Sequence, residues 1–212
     1  MCYDVAAMTD ADLATRGRPR SERARRAILA AASRLLLELG VEEMSMDALA
    51  AHAGVSKATI YRWWTSKELV ALDALLELWI EASVEPGGPD TGTLRDDLFL
   101  RVKVWAALPQ AELGRALGGL VAKARRDADF SIVYLERFVH PRRDAARPLF
   151  LRAIDRGEIR ADTDIEAAID LLYGPIYHRV LHGHQLVDIP FIRMVVDSLV
   201  DALHARVERL NA

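Results

Sequence analysis

A chain of 212 residues has room for one or two domains and a sizeable core, and 51% hydrophobic against 28% charged residues is the balance of a folded protein rather than a disordered one. No apolar run is long enough to cross a bilayer, residues 1–7 lack the basic and apolar segments of a signal peptide, and the single cysteine, Cys2, excludes an internal disulfide, so the expected location is cytoplasmic. The formal net charge of −3 hides an uneven distribution, because Arg16, Arg18, Arg20, Arg23, Arg25 and Arg26 stand together against Glu22 alone.

Residues 1–15 show no sustained periodicity and read as a disordered tail. Arg16-Gly17-Arg18-Pro19 follows, the core of the AT-hook pattern. Glycine and proline keep such a segment slim and extended, so Arg16, Arg18 and Arg20 can enter a narrow A·T minor groove; a merely solvated arm is the plainer reading. A helix is predicted over residues 21–39, with Ile28, Ala32, Leu35, Leu36 and Leu39 at helical spacing and Gly40 ending it.

Residues 45–64 read as a helix-turn-helix. Ser45 caps the first helix, which buries Leu49 and Ala50; Gly54 serves the turn; Ser56 caps a second helix that turns Ile60 and Trp64 inward. Lys57, Thr59, Tyr61, Arg62 and Trp63 are left on or near the outer face, where they suit phosphates and base edges. Next, Thr65 and Glu68 form a capping box opening a helix from Lys67 to about residue 83, with Leu69, Leu72, Leu75, Leu76, Trp79 and Ile80 apolar. Pro86-Gly87-Gly88-Pro89 breaks it and marks a boundary.

Beyond the breaker the pattern stays helical over 94–107, 111–126 and 130–156, with Pro141 expected to kink or split the last, and His140-Pro141-Arg142-Arg143 reading as a kink with a solvated basic patch. A Thr163-x-x-Glu166 capping box and an Asp188 cap followed by Pro190 signal two terminal amphipathic helices. No segment alternates with period two over a useful length, so the fold class is all-α. Ile169, Leu172 and Ile176 on one terminal helix and Val195, Leu199 and Leu203 on the other offer a dimer interface, although the same faces also close the chain's own core. His178, His182 and His184 have a spacing compatible with a shared metal, but hydrogen bonding at an interface is the preferred reading, and neither metal nor cofactor is expected.

The order of arginine-rich arm, helix ending at Gly40, A-x-x-A-G-V-S-x-x-T-I-Y from Ala50 to Tyr61, and the S-K-E-L start of a long helix resembles the tetracycline-repressor (TetR) family of bacterial regulators. The match is close from Arg16 to Leu76; the remainder matches in being helical and of suitable length. The resemblance implies a three-helix DNA-binding domain over 16–66, joined by a long helix to a helical ligand-binding and dimerisation domain over 67–212. It implies a homodimer reading a palindromic operator in double-stranded DNA, and a small-molecule effector that respaces the readers. Carried over residue by residue, it makes Ser45 a cap that also touches a phosphate. Lys57, Ala58 and Thr59 become the base-reading start of the recognition helix, and Tyr61, Trp63 and Lys67 grip the backbone. Arg62 replaces what is often an aromatic or polar residue and Trp63 stands where a histidine is common, departures that bear on the operator sequence. Each residue also has a plainer role: Thr59 favouring its own helix start, Lys67 accompanying Glu68, Trp63 packing on a neighbouring helix.

An effector cavity should lie among the central helices, with Trp105, Tyr134, Phe138, Tyr173 and Tyr177 as candidates and a hydrophobic or aromatic ligand as the default. The expected function is a transcriptional repressor released by that ligand. An A·T-preferring DNA-organising protein without ligand control is the alternative, disfavoured by the long C-terminal body. An enzyme is the third, and no nucleophile elbow, H-E-x-x-H or phosphate-cradling glycine loop supports it.

Overall fold

The computed structural model describes residues 10–80 and 88–209 of the chain, and side chains over 22–78 and 88–204. Among the described residues every regular element is helical. Helix α1 spans Asp10–Glu43, with a break at Gly40, whose φ of 78° is open to glycine but costly for other residues. Its buried stripe is Ile28, Leu29, Ala31, Ala32, Leu35 and Leu36, while Leu39 is 40% exposed. The break therefore falls where predicted, but the start lies eleven residues earlier than residue 21. This corrects the expectation of an extended arm: the backbone at Arg16, Arg18 and Arg20 is helical, and their side chains lie outside the described residues, as do residues 1–9 of the predicted tail. The physical reason is local. Ala11, Leu13, Ala14 and the arginines are good helix formers, and their preference carries the helix through Gly17 and Pro19, although both are poor helix formers and Pro19 has no N–H for the Thr15 carbonyl.

Helices α2 (Met46–Ala53) and α3 (Lys57–Tyr61) form the helix-turn-helix, and α4 (Lys67–Ile80) runs out of it. The α4 cap is Ser66, whose Oγ accepts the Leu69 N–H at 3.4 Å, rather than the predicted Thr65. The helix packs against α1 and α6, and its Val70, Ala71, Leu72, Ala74 and Leu75 are all buried. Its predicted end near residue 83 and the start of the proline-glycine breaker fall outside the described residues.

The second half comprises α5 (Leu94–Val102), α6 (Gln110–Arg126), α7 (Ala128–Tyr134), α8 (His140–Asp155), α9 (Ile165–His182) and α10 (Ile189–Arg209). The helix predicted over 94–107 tightens into a 3₁₀ turn at Lys103–Ala107. Between α7 and α8 the chain makes a π turn, Leu135–Val139, in which the His140 N–H reaches five residues back to the Leu135 carbonyl. Pro141 follows at once and cannot donate to the Arg137 carbonyl, so the predicted disruption sits in the turn before the proline. For α9 the cap is Asp164, accepting the Ala167 N–H at 3.0 Å, which corrects the Thr163 capping box. Glu166 is thereby free to meet Arg143 at 2.7 Å and Arg147 at 2.5 Å. The Asp188 cap of α10 forms as expected, accepting the Phe191 N–H at 2.9 Å.

Helix α6 is the central strut, packing against α1, α4, α7 and α9. It approaches its neighbours at glycines. A Cβ on Gly114 would stand 2.2 Å from the Val180 carbonyl oxygen of α9, and one on Gly119 would stand 3.1 Å from Val41 Cβ. Arg115 also donates to the Leu37 carbonyl at 3.0 Å, so one helix touches both halves of the molecule.

The predicted dimer face is corrected here. Ile169, Leu172, Ile176, Val195 and Leu199 are buried inside the chain, with Leu203 half-buried beside them, because α9 and α10 turn these residues toward each other and the core. A helical apolar stripe reports that it is covered, not by which chain. Among the described residues, the large exposed apolar side chains of these two helices and their connection are others: Leu171, Leu181, Leu186, Ile189 and Met194.

Candidate nucleic-acid interface and cavity

The reader is built from two local caps. Ser45 Oγ accepts the Ala48 N–H at 3.1 Å, Gly54 takes φ 64° at the turn, and Ser56 Oγ accepts the Thr59 N–H at 3.2 Å. Leu49, Ile60 and Trp64 are buried, fixing which face of the short α3 looks outward. Tyr61 is 52% and Trp63 42% exposed, and Lys57, Ala58 and Arg62 are exposed with them. Large aromatic side chains left in water beside two cations, on the outer face of a helix-turn-helix, form a surface suited to a phosphate backbone and base edges.

Besides the cap Ser45, the expected contact residues Lys57, Thr59 and Lys67 already have partners inside the chain. Lys57 Nζ lies 2.9 Å from Asp47 Oδ1, and hydrogen bonding and charge at that carboxylate hold the ammonium above its usual range. Thr59 Oγ1 lies 3.0 Å from Ser56 Oγ, reinforcing the start of its own helix. Lys67 Nζ donates to the Glu42 carbonyl at 2.6 Å, tying the start of α4 to the chain just past the Gly40 break.

Trp64 connects the reader to the body. Its indole N–H donates to Asp73 Oδ2 at 2.8 Å, and the other Asp73 oxygen pairs with Arg137, which stands in the π turn. Asp73 is 7% exposed, a depth at which a carboxylate needs such partners. Neither Asp73 nor Arg137 was singled out from the sequence. The available signal was an acid set in the otherwise apolar run Val70–Leu76 of α4.

One residue along the π turn, Phe138 faces a cavity of about 360 Å³ between α6, the π turn, α8 and α9. Its lining includes Val121, Tyr134, Phe138, Arg142, Tyr173, Gly174 and Tyr177. Four of the five predicted aromatic residues are thus brought together on one cavity. Trp105 stands behind it, 1% exposed and edge-on to Tyr177 with ring centroids 5.1 Å apart. Tyr134 and Phe138 stack at 5.2 Å, and Tyr173 Oη accepts from Arg101 Nε at 3.3 Å. Burial pushes the Tyr134 phenol up to about 12 and raises that of Tyr177 as well, so both keep their protons at neutral pH.

Arg142 is the principal correction in this region. Predicted in a solvated patch, it is 8% exposed, its guanidinium carbon is 3.6 Å from the Phe138 ring centroid, and Nη1 donates to the Phe138 carbonyl. Its neighbour Arg143, one position further along α8 and also at the edge of the cavity, instead pairs with Glu166 and Asp170. His178, His182 and His184 gather at the surface with ring centroids 4.7 to 6.5 Å apart. Among the described residues, no group of three or more His, Cys, Asp or Glu is arranged to hold a metal ion, and no helix is long and apolar enough to cross a membrane.

Comparison with known proteins matches residues 28–81 to the family model for bacterial regulatory proteins of the tetR family, and residues 88–199 to that for the tetracyclin repressor-like C-terminal domain. The HTH-type transcriptional regulator YdeS of Bacillus subtilis (strain 168), itself uncharacterized, is 38% identical over 190 residues, covering 90% of this chain and 94% of its own. The DNA-binding transcriptional repressor TetR of Mycobacteroides abscessus is 33% identical over 191 residues, 89% of this chain and 95% of its own. The crystal structure of the TetR family transcription regulator SCO0332 superposes with a TM-score of 0.69 at 33% identity, over 84% of this chain and 97% of that one. The two matched segments meet at the α4–α5 connection, with the reader on one side and the cavity on the other. The chain belongs to the TetR family of transcriptional regulators, a non-enzymatic family, and binds DNA through its helix-turn-helix.

Proposed function

We propose that the protein is a homodimeric repressor that holds a palindromic operator and releases it when a small molecule fills the cavity. The observation that carries this reading is the contact chain from Phe138 on the cavity wall, through its neighbour Arg137, to Asp73 on α4 and on to Trp64 at the end of the reader. A ligand acts only through its different affinity for the binding and released states. Displacing Phe138 moves Arg137, and α4 carries Asp73 and Trp64 with it. In a two-fold dimer the readers must fall about 34–36 Å apart or at multiples of that spacing, so a small shift of α4 abolishes operator binding. The exposed faces of α9 and α10, with Leu171, Leu181 and Met194, are offered to the second copy. Repression follows the Mycobacteroides relative, which is named a repressor. DNA contact is assigned to Ser45, Lys57, Ala58, Thr59, Tyr61, Arg62, Trp63 and Lys67, with Arg16, Arg18 and Arg20 preceding them.

Selection of bound fragments from a random duplex pool by the purified full chain should return an inverted repeat. Uniform recovery of A·T-rich fragments overturns the operator reading. Small aromatic compounds that displace the selected operator should lose that effect with Gly174→Met, which fills the cavity where a Cβ meets no heavy atom within 4 Å. In Asp73→Asn the compounds should still bind, but displacement should weaken roughly tenfold, which corresponds to ~1.4 kcal/mol of coupling. Unchanged displacement in both variants overturns the route through the cavity.

A further inference from the structure

We infer that the cavity takes a small, planar, uncharged aromatic molecule bearing a carbonyl group, with its rings among Tyr134, Phe138, Tyr173 and Tyr177 and its carbonyl oxygen accepting from the Tyr134 and Tyr177 hydroxyls. This rests on the reading of the cavity as the effector site and names the class of effector.

Space comes first. The cavity measures about 360 Å³, near the lower end of ligand cavities, ~300–1,000 Å³, which suits one or two fused rings rather than a long chain. Its walls are aromatic. Tyr134 at the end of α7 stacks on Phe138 of the π turn with centroids 5.2 Å apart, and Tyr173 and Tyr177 stand 6.3 Å apart on α9. Gly174 adds no side chain between the α9 pair, and a planar guest gains offset or edge contacts from such rings.

Charge sets the next limit. The lining carries three charged groups among the described residues, Arg142, Arg143 and Asp170, and each is committed within the chain. Arg143 pairs with Asp170 and Glu166, while Arg142 donates from Nη1 to the Phe138 carbonyl and lies 3.6 Å from the Phe138 ring centroid. An ionised guest would lose its hydration and meet only counter-charges that are already engaged, whereas an uncharged guest avoids that cost. The hydrogen-bonding capacity left over is phenolic. Tyr173 Oη accepts from Arg101 Nε at 3.3 Å, but among the described residues no hydrogen bond engages the hydroxyl of Tyr134 or Tyr177. Burial keeps both phenols protonated, and the Arg142 charge opposes the rise in both, which places the guanidinium within electrostatic reach of each oxygen. Tyr134 raises Tyr177 in turn, so the two oxygens also lie near each other. A phenol beside a cation turns its oxygen toward the charge and its proton away. The two hydroxyls therefore offer donors to the guest, and a carbonyl oxygen, with two lone pairs, is an uncharged group that accepts both. The adjacent recess lined by His140, Arg143, Asp144, Arg147 and Glu166 is a weaker candidate, because its arginines and acids already satisfy one another.

The test is equilibrium dialysis of the full chain against three probes of one shape: 2-acetylnaphthalene, its hydrocarbon isostere 2-isopropenylnaphthalene, and the anion 2-naphthoate. The ketone should bind roughly threefold to thirtyfold more tightly than the hydrocarbon, and about tenfold or more tighter than the carboxylate. Combining Tyr134→Phe with Tyr177→Phe keeps both rings and should bring ketone and hydrocarbon to within about twofold, with the hydrocarbon unchanged. The comparison on the native chain needs no variant, so it stands even if the double variant fails to fold. Naphthoate binding as tightly as the ketone overturns the uncharged class. Equal binding of ketone and hydrocarbon, abolished by Gly174→Met, overturns the carbonyl and leaves the cavity reading intact. A ketone preference that survives the double variant overturns the role of the two phenols. Failure of all three probes to bind, or binding that Gly174→Met leaves untouched, overturns the cavity reading as well.

Discussion

The reader and the body are held together by different kinds of information. In the reader, three side chains and a glycine set the geometry over short separations: Ser45 caps α2, Gly54 turns the chain, Ser56 caps α3, and Trp64 anchors the far end. In the body, the decisive contacts join residues far apart in sequence. Arg143 reaches Glu166 and Asp170, Gln110 exchanges hydrogen bonds with the Val187 backbone at 2.7 and 2.8 Å, and Gly114 meets Val180. The contrast teaches why a reader can be recognised from a few local residues, whereas a cavity cannot be drawn until the helices are packed.

Three changes would sharpen or break that contrast. Trp64→Ala removes the largest anchor of the reader and leaves Asp73 buried without its indole donor; urea unfolding of the full chain should show a loss of ~3–5 kcal/mol. A loss below ~1 kcal/mol would show that the local caps hold the reader without its link to α4. Gly114→Ala places a methyl against the Val180 backbone and should cost ~1–3 kcal/mol in the same measurement, although alanine is the better helix former. No loss would mean that α6 and α9 move apart freely, contrary to a body specified by close packing. Lys57→Ala should leave stability within ~0.5 kcal/mol, since its Asp47 pair is exposed, and should lower the salt dependence of operator binding by about one counterion. An unaltered salt slope would assign Lys57 to its pair with Asp47 rather than to DNA.

Much of the fold was legible in the sequence because periodicity and caps are local signals. The helix-turn-helix, the Gly40 break, the Asp188 cap and the helical body all follow from spacing. The misplaced caps at Thr65 and Thr163 share one cause: a Ser or Asp stands directly after each threonine and takes its role one residue later. The dimer face was misread because Leu171 and Leu172 are adjacent and both apolar, yet one is 60% exposed and the other fully buried. Four of the five aromatic candidates do meet on one cavity, but the charge among them was missed, because Arg142 and Arg143 look alike in the sequence and only packing buries the first on Phe138 and pairs the second with Glu166 and Asp170.

The sequence by itself determined the reader: its caps, its turn, its inward Ile60 and Trp64 and, through the resemblance these carry, the family. Those features depend on dihedral preferences and hydrogen bonds within a few residues, which a linear text records. Only the tertiary structure decided that Asp73 joins Trp64 to Arg137, that the α9–α10 stripe is core, and that a buried guanidinium stands in an aromatic cavity. Each of these depends on which helix faces which, and burial and charge pairing arise only once the helices are packed.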